Sequence, residues 1–306
     1  MPFRLPPLLV DTDSTIQYSH AMDISPEYLI DIADRALQED VDTGDLTTLA
    51  TVSPIAKGRA VIRAKADGIV SGLDVAAIVF YQLDQESEFI TNLVEGSPIK
   101  RGDEMIMIQG KLAALLTGER TALNFLMHLS GIATLTAQFV DLVKHTKCKI
   151  IDTRKTTPGL RVLEKRAVFA GGGENHRMGL FDMILIKENH IAAAGSLSKA
   201  VEKAVEYNQT TAIQRVKIEV ETRNLDEVRE AAKLAIQRLM LDNFDVATAR
   251  EAVKIVRAAN PDLEIEASGN MTLATVKEYA ETGVDFISAG ALTHSAHWLD
   301  LSMKIA

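Results

Sequence analysis

Residues 216 to 268 read VKIEVETRNLDEVREAAKLAIQRLMLDNFDVATAREAVKIVRAANPDLEIEAS, and their rhythm decides the fold. Three short β-rich runs, Val216 to Glu221, Leu239 to Asp242 and Leu263 to Ser268, alternate with two amphipathic helical patterns. In the first pattern Leu225, Val228, Ala232 and Ala235 follow the cap pair Asn224 and Glu227; in the second, Val246, Ala249, Val253 and Val256 follow Asp245. Alternating strand and helix means a parallel sheet covered on its faces.

Outward from this stretch the rhythm continues through Lys149 to Asp152, Met183 to Lys187 and Phe286 to Gly290. A closed eight-stranded barrel needs about 250 residues. Cys148 to Gly290 supplies 143 and six runs, which predicts an incomplete (open) α/β barrel. Further upstream, Arg59 to Gly110 breaks into short apolar runs divided by glycine turns, with a helix over Asp74 to Leu83. That pattern predicts an α+β sandwich-like domain. Leu112 to His145 reads as helical, with Gly118 and Gly131 as interruptions, and Ser25-Pro26 as the start signal of an earlier helix that Asp42 to Thr47 ends. The expected division is an irregular arm over 1–25, the sandwich-like domain over 26–130, the barrel over 131–290 and a segment over 291–306 that returns to the first domain. Trp298 and Leu299 are expected to pack a terminal helix.

Composition narrows the function. The chain has 306 residues, 33 Lys or Arg and 42 Asp or Glu, for a net charge of −9, which argues against nucleic-acid binding. No run of 18 uninterrupted apolar residues predicts a membrane span. One cysteine, Cys148, allows neither an internal disulfide nor a Cys-pair zinc site, so a reducing cytoplasm is the expected compartment.

Parallel α/β architectures bind ligands at the carboxyl ends of their strands. Those ends carry Asp152-Thr153-Arg154-Lys155, Lys187-Glu188-Asn189-His190, Glu219-Val220-Glu221, Asp242-Asn243, Ser268-Gly269-Asn270 and Ser288-Ala289-Gly290. Arg154, Lys155, Arg177 and Lys187, with His176, form a basic set. The segment Asp152 to His190 holds seven Lys or Arg against five Asp or Glu, a local cationic surplus in an acidic chain. It points to a small polyanionic ligand, since the arginine fork matches carboxylate and phosphate. Glu221 and Asp242 form an acidic set, suited to a divalent cation, to ribose hydroxyls or to a developing positive charge. Gly171-Gly172-Gly173 reads as a loop open to a ligand, and Ser268-Gly269 with Ala289-Gly290 as a phosphate-binding corner. His128, His145 and His297 lack metal spacing and read as structural or surface residues.

These motifs resemble one family. Asp152 to Arg161 (DTRKTTPGLR), Gly171 to Arg177 (GGGENHR) running into Gly179-Leu180, Leu185 to Ile191 (LIKENHI) and Leu241-Asp242-Asn243 are similar to quinolinate phosphoribosyltransferase, also called nicotinate-nucleotide pyrophosphorylase (carboxylating). Asp42 to Thr47 (DTGDLT), Gly118 to Asn124 (GERTALN) and Ser268-Gly269 extend the resemblance over about residues 24 to 300. It implies an α/β sandwich followed by an incomplete barrel, assembled as a homodimer or hexamer with shared active sites. It also implies conversion of quinolinate and phosphoribosyl pyrophosphate to nicotinate mononucleotide, pyrophosphate and CO2, with Mg2+ and no organic cofactor, in de novo NAD synthesis. Residue by residue, it puts Arg154, Lys155, His176, Arg177 and Lys187 around the quinolinate carboxylates and nearby phosphates, with Arg120 reaching in from the partner subunit. Glu221 and Asp242 would face the ribose and magnesium-bound pyrophosphate, with Lys155 and Lys187 beside them in catalysis. Ser268, Gly269, Gly290 and His294 would hold the 5′-phosphate, with Asn270 where many relatives carry another glycine.

Two other readings compete. Lys187 at a barrel strand end would suit a Schiff-base aldolase, which borohydride trapping exposes. A non-catalytic pyridine-dicarboxylate binding protein would bind quinolinate without releasing CO2.

Overall fold

In the computed structural model residues 24–210 and 215–306 are described; the expected N-terminal arm lies outside them up to residue 23. The elements run α1 (Pro26–Val41), α2 (Leu46–Thr51), β1 (Lys57–Ala64), β2 (Gly68–Ile69), α3 (Leu73–Leu83), β3 (Glu88–Ile90), β4 (Pro98–Ile99), β5 (Glu104–Lys111) and α4 (Leu112–Val143). Then follow β6 (Lys149–Ile151), α5 (Arg161–Ala170), β7 (Ile184–Ile186), α6 (Glu188–Ala194), α7 (Leu197–Thr210), β8 (Ile218–Thr222), α8 (Leu225–Ala231) and β9 (Arg238–Asp242). The last are α9 (Val246–Ala259), β10 (Glu264–Ser268), α10 (Val276–Ala280), β11 (Phe286–Ser288), α11 (Ala291–His294) and β12 (Leu301–Ile305).

Two units emerge. The first holds the described residues up to Leu135 with Val162–Gly171 and Ala296–Ala306; the second holds Thr136–Arg161 and Gly172–Ser295. The reading from sequence put residues 162–171 inside the barrel, but α5 belongs to the first unit. Its buried charges explain this, because Glu164 lies 2.9 Å from His128 and Arg166 Nη2 donates to Asp74 at 2.5 Å. Residues 291–295 in turn belong to the second unit.

In the first unit α1 starts as its cap predicts, with Ser25 Oγ accepting the Tyr28 N–H at 3.2 Å. Its stripe of Leu29, Ile32, Ala33 and Leu37 is buried. An antiparallel sheet runs in the order β12-β1-β5-β3. The expected helix at Trp298 and Leu299 is absent. Trp298 and Leu299 lie in an irregular stretch, and the chain after them forms β12, antiparallel to β1, because Leu301 and Met303 alternate with Ser302 and Lys304 in a period of two.

Nor do the glycines interrupt α4, which is continuous. They let other segments come close. A Cβ on Gly118 would lie 2.9 Å from the Leu83 side chain, and one on Gly131 would lie 2.2 Å from the His297 carbonyl oxygen. Length and a mean hydropathy of 1.3 would let α4 cross a membrane. It serves instead as a core helix, burying Leu115, Leu123, Leu126, Leu129 and Ile132. Gly131→Ala sets a helix-propensity gain of about 1 kcal/mol against a backbone clash costing about 3 kcal/mol. The net expectation is a variant about 2 kcal/mol less stable, read by denaturant unfolding.

The second unit contains the six-stranded parallel sheet of an open α/β barrel, in the order β6-β11-β10-β9-β8-β7. Both faces of β8 are buried, as a parallel sheet covered on both sides requires. The caps match the sequence: Asn224 Oδ1 accepts from Asp226 and Glu227, and Asp245 Oδ1 accepts from Thr248. Helix α8 stops at Ala231, short of the expected Ala235, because tight turns (Lys233 N–H to Glu230, Leu234 N–H to Ala231) deliver the chain to β9. Pairing Glu219 with Arg238, Glu266 with Met240 and Ser268 with Asp242 sets Glu219 and Glu221 of β8, Arg238, Met240 and Asp242 of β9, and Glu264, Glu266 and Ser268 of β10 on one face.

Candidate active site

Period-two alternation carries that face from the strand interiors to their carboxyl ends, where a cleft of about 340 Å³ opens within the second unit. Its walls bring together Arg154, Lys155, Arg177 and Lys187 as cations, the carboxyl groups of Glu221, Asp242 and Glu266, and His176 and Ser268. Leu185 and Met240 supply apolar floor. A hollow of about 440 Å³ beside Lys147 and Arg257 is larger, but Arg257 is already paired with Asp285 at 2.6 Å and the strand-end set is absent from it.

Each cation has a distinct setting. Arg154 Nε is buried without a hydrogen-bond partner, a donor suited to an anion. The Arg177 Nη1 donates to the Met183 carbonyl at 3.2 Å, which fixes the head of the side chain. Burial pulls the Arg177 guanidinium below its ordinary pKa, and neighbouring Arg154 pulls it further; Glu219 opposes both. Lys187 Nζ is ion-paired with the largely buried Glu221, and the Lys187 N–H donates to His190 Nδ1 at 3.0 Å at the start of α6. Lys155 is exposed, and its carbonyl accepts from Thr293 Oγ1 at 2.8 Å.

The phosphate-corner residues divide. Ser268 lines the cleft; Gly269, Asn270, Gly290 and His294 do not. A Cβ on Gly290 would meet Lys155 Cδ at 2.9 Å and His294 Nε2 at 3.0 Å, so these three residues stand together. Gly269 has φ 110° and a Cβ there would strike Asn243 Oδ1 at 2.3 Å; no other residue fits. Asn270 has φ 47°, the left-handed region asparagine tolerates. The triple-glycine loop is not among the lining residues: the Gly171 N–H donates to the Ala167 carbonyl and ends α5. Arg120 is exposed on α4, is not among the lining residues and has no ion pair among the described residues.

His176 lines the cleft as expected and also reaches into the barrel interior. It is buried, its backbone N–H donates to Asp152 Oδ1 at 2.9 Å, and its Nε2 faces Glu219 at 3.1 Å and Glu266 at 3.5 Å. Glu266 and Arg238 fall outside a reading confined to strand ends, and Glu219, quoted at one of those ends, carries no role in it. The signal was present in IEVET and EIEAS, where a charge at alternate positions contradicts the apolar faces of a covered strand. Burial pushes Glu219 up to about 7, with Arg238 the largest opposing influence, and pushes Glu266 up to about 8, reinforced by Glu219. These three buried groups are the His/Cys/Asp/Glu cluster with metal-like spacing among the described residues. His128 and His145 pair with Glu164 and Glu281 at 2.9 and 3.0 Å, as structural residues would.

Comparison with known proteins agrees with this architecture. Residues 45–130 match the family model "Quinolinate phosphoribosyl transferase, N-terminal domain" and residues 132–304 the corresponding C-terminal domain. A Synechocystis protein named "Probable nicotinate-nucleotide pyrophosphorylase [carboxylating]" is 46% identical over 269 residues, covering 88% of this chain and 90% of its own. "Quinolinate phosphoribosyltransferase [decarboxylating] 1" of Nicotiana glauca is 42% identical over 286 residues, covering 88% of this chain and 80% of its own. The crystal structure of NadC from Streptococcus pyogenes superposes with a TM-score of 0.86 at 39% identity, over 92% of this chain and 97% of that one. Matched in both of its domains and along most of its length, the chain belongs to the quinolinate phosphoribosyltransferase family.

Proposed function

We propose that the strand-end cleft of the second unit is where this chain carries out its family's reaction, phosphoribosyl transfer to quinolinate with loss of CO2. The observation that carries the assignment is the gathering of four cations with the carboxyl groups of Glu221, Asp242 and Glu266 in one cavity. Quinolinate is a dianion and phosphoribosyl pyrophosphate is more negative still, so fixed cations must offset their repulsion before the two can align. Arg154, Arg177 and Lys155 clamp the two carboxylates. The pyridine nitrogen forms a bond to the anomeric carbon of the ribose as the bond to pyrophosphate breaks, and the leaving group takes the electron pair. Glu221 and Asp242 face the ribose, where they stabilise oxocarbenium character. Lys187, paired with Glu221, orients that carboxylate beside the ring.

Decarboxylation follows from the product of the first step. The alkylated nitrogen is cationic, so the C–C bond to the adjacent carboxylate breaks with its electron pair held on the ring carbon, which then takes a proton. No organic cofactor and no dedicated general base enter this account. One or two carboxylates combined with substrate phosphates is the usual setting of Mg2+, and Glu221 with Asp242 fits it. Mg2+ bound with phosphoribosyl pyrophosphate supplies charge neutralisation on the leaving group. Ser268, Gly269, Asn270, Gly290 and His294 hold the 5′-phosphate at the ends of β10 and β11.

Family membership displaces the aldolase reading, and Lys187 is engaged by Glu221 in an ion pair. Simultaneous assay of CO2 and nicotinate mononucleotide tests the activity: equal release of both is expected, and quinolinate binding without CO2 would overturn it.

The neighbouring subunit completes the site in this reading, with Arg120 supplied in trans. Leu46, Leu49 and Ile55 of the first unit, exposed at 78%, 72% and 87%, provide apolar surface for association into a homodimer or hexamer. Mixing inactive Arg120→Ala with inactive Lys187→Ala subunits is expected to restore about a quarter of wild-type activity, one intact site in each mixed dimer. No recovery after confirmed subunit exchange would place Arg120 outside the site. The buried lone thiol of Cys148 supports a reducing, cytoplasmic location, whereas some plant relatives are named mitochondrial or chloroplastic.

A further inference from the structure

At the base of the cleft, where His176 and Glu266 are among its lining, the barrel interior holds a charged layer in which the reaction chemistry leaves Glu219 and Glu266 unused. Glu219 of β8 and Glu266 of β10 are 0% exposed and flank β9. Both converge on one nitrogen, His176 Nε2, at 3.1 and 3.5 Å. The other ring nitrogen, Nδ1, accepts the main-chain N–H of Arg177 at 2.7 Å. An accepting Nδ1 carries no proton, so the ring proton sits on Nε2 and points at the two carboxylates. Arg238 closes the layer: its Nη1 lies 3.2 Å from Glu266, its Nε donates to Glu264 at 3.0 Å, and its guanidinium lies 4.0 Å from the centre of the Phe286 ring.

Metal-like spacing of His176, Glu219 and Glu266 invites a ligand-site reading, but the Arg238 guanidinium already supplies the positive charge that such a trio would seek. Filling the interior does not by itself account for the arrangement. Apolar side chains fill barrels at lower cost, and both Glu219 oxygens and Glu266 Oε1 stay buried without a hydrogen bond, the carboxylates facing His176 Nε2 at ion-pair distance only. What the layer does possess is a short path to the cleft wall: its carboxylates face His176 Nε2 at 3.1 and 3.5 Å, and the opposite edge of that ring accepts the Arg177 main-chain N–H.

We propose that Glu219 and Glu266 are positioning residues for the reaction: they grip His176 through Nε2, His176 grips the Arg177 main chain through Nδ1, and the Arg177 guanidinium is thereby fixed where a quinolinate carboxylate docks. The inference rests on the assignment of Arg177 to the carboxylate clamp. It gives His176 the work of orienting that clamp from behind.

Two measurements test it on the full chain. In ¹⁵N-histidine NMR, with the His176 signals identified by their loss in His176→Gln, Nε2 is expected to be protonated and Nδ1 to be an acceptor. A ring protonated at Nδ1 overturns the proposal without any variant. In steady-state kinetics Glu219→Ala and Glu266→Ala are expected to raise KM for quinolinate about 10-fold to 100-fold, the cost of a misplaced clamp. KM for phosphoribosyl pyrophosphate should stay within about twofold, and Glu219→Gln, whose amide oxygen can face the Nε2 proton from the same position, should recover most of the loss. An alanine variant that folds and keeps its quinolinate KM overturns the proposal. If the alanine variants do not fold, Glu219→Gln decides: retained tautomer with near-normal KM supports it, and retained tautomer with KM raised as far as in Arg177→Ala overturns it. Raised KM in Arg177→Ala beside unchanged KM in Glu219→Ala would remove this inference alone; unchanged KM in both would remove the clamp assignment with it.

Discussion

Arg177→Ala is expected to raise KM for quinolinate about 100-fold while the fold and the KM for phosphoribosyl pyrophosphate change little. The size follows from removing a charge-assisted, two-pronged contact worth about 2 to 3 kcal/mol in a partly desolvated cleft. The side chain has one structural contact, to the Met183 carbonyl, so its removal leaves the sheet intact. Burial and the nearby Arg154 both hold the Arg177 guanidinium below its ordinary pKa, which means the charged form is under repulsion before substrate arrives. A dianion relieves that repulsion on binding. Arg177→Lys should fall between wild type and alanine, because the charge remains and the planar fork is lost. A quinolinate KM unchanged in Arg177→Ala would remove this residue from the clamp.

Glu221→Gln is expected to lower kcat about 10²- to 10³-fold with KM for both substrates within a few-fold. Its carboxylate is largely buried, shares the cleft with Asp242 and is ion-paired to Lys187. The amide is nearly isosteric but neutral, so it fills the same space and stabilises less positive charge on the ribose as pyrophosphate departs. The loss should therefore fall on the chemical step. Pre-steady-state measurement of pyrophosphate release checks this directly, and an undiminished rate would mean that Asp242 alone, or the leaving-group charge, carries the stabilisation.

The barrel and most of its rim were legible because alternation of strand and helix over residues 149–290 is a strong signal and strand ends are where ligands bind. Arg154, Lys155, Arg177, Lys187, Glu221, Asp242 and Ser268 therefore meet in one cleft. Two things escaped. The glycines of α4 read as helix breaks, since in a single sequence a glycine that admits a neighbouring backbone looks the same as one that ends a helix. The interior charges escaped because attention to the last residue of each run ignores the residue two before it on the same face, as Glu219 is to Glu221 and Glu266 is to Ser268. Helix α5 lies with the first unit because its partners, His128 and Asp74, are distant in sequence.

The charged ladder inside the barrel also acts as a key for strand alignment. Arg238 meets Glu264 and Glu266 only when β10 lies in its observed pairing with β9, and Glu219 reaches His176 only when β8 does the same. A slip of one residue in β10 would turn both of its glutamates toward the helix layer and leave Arg238 with Glu219 of β8 in place of the three carboxylates around it. Purely aliphatic strands such as Ile-Val-Ile would tolerate that slip far better. The polar interior thus discriminates against misaligned sheets during folding, and the carboxylates at the rim inherit their spacing from that selection.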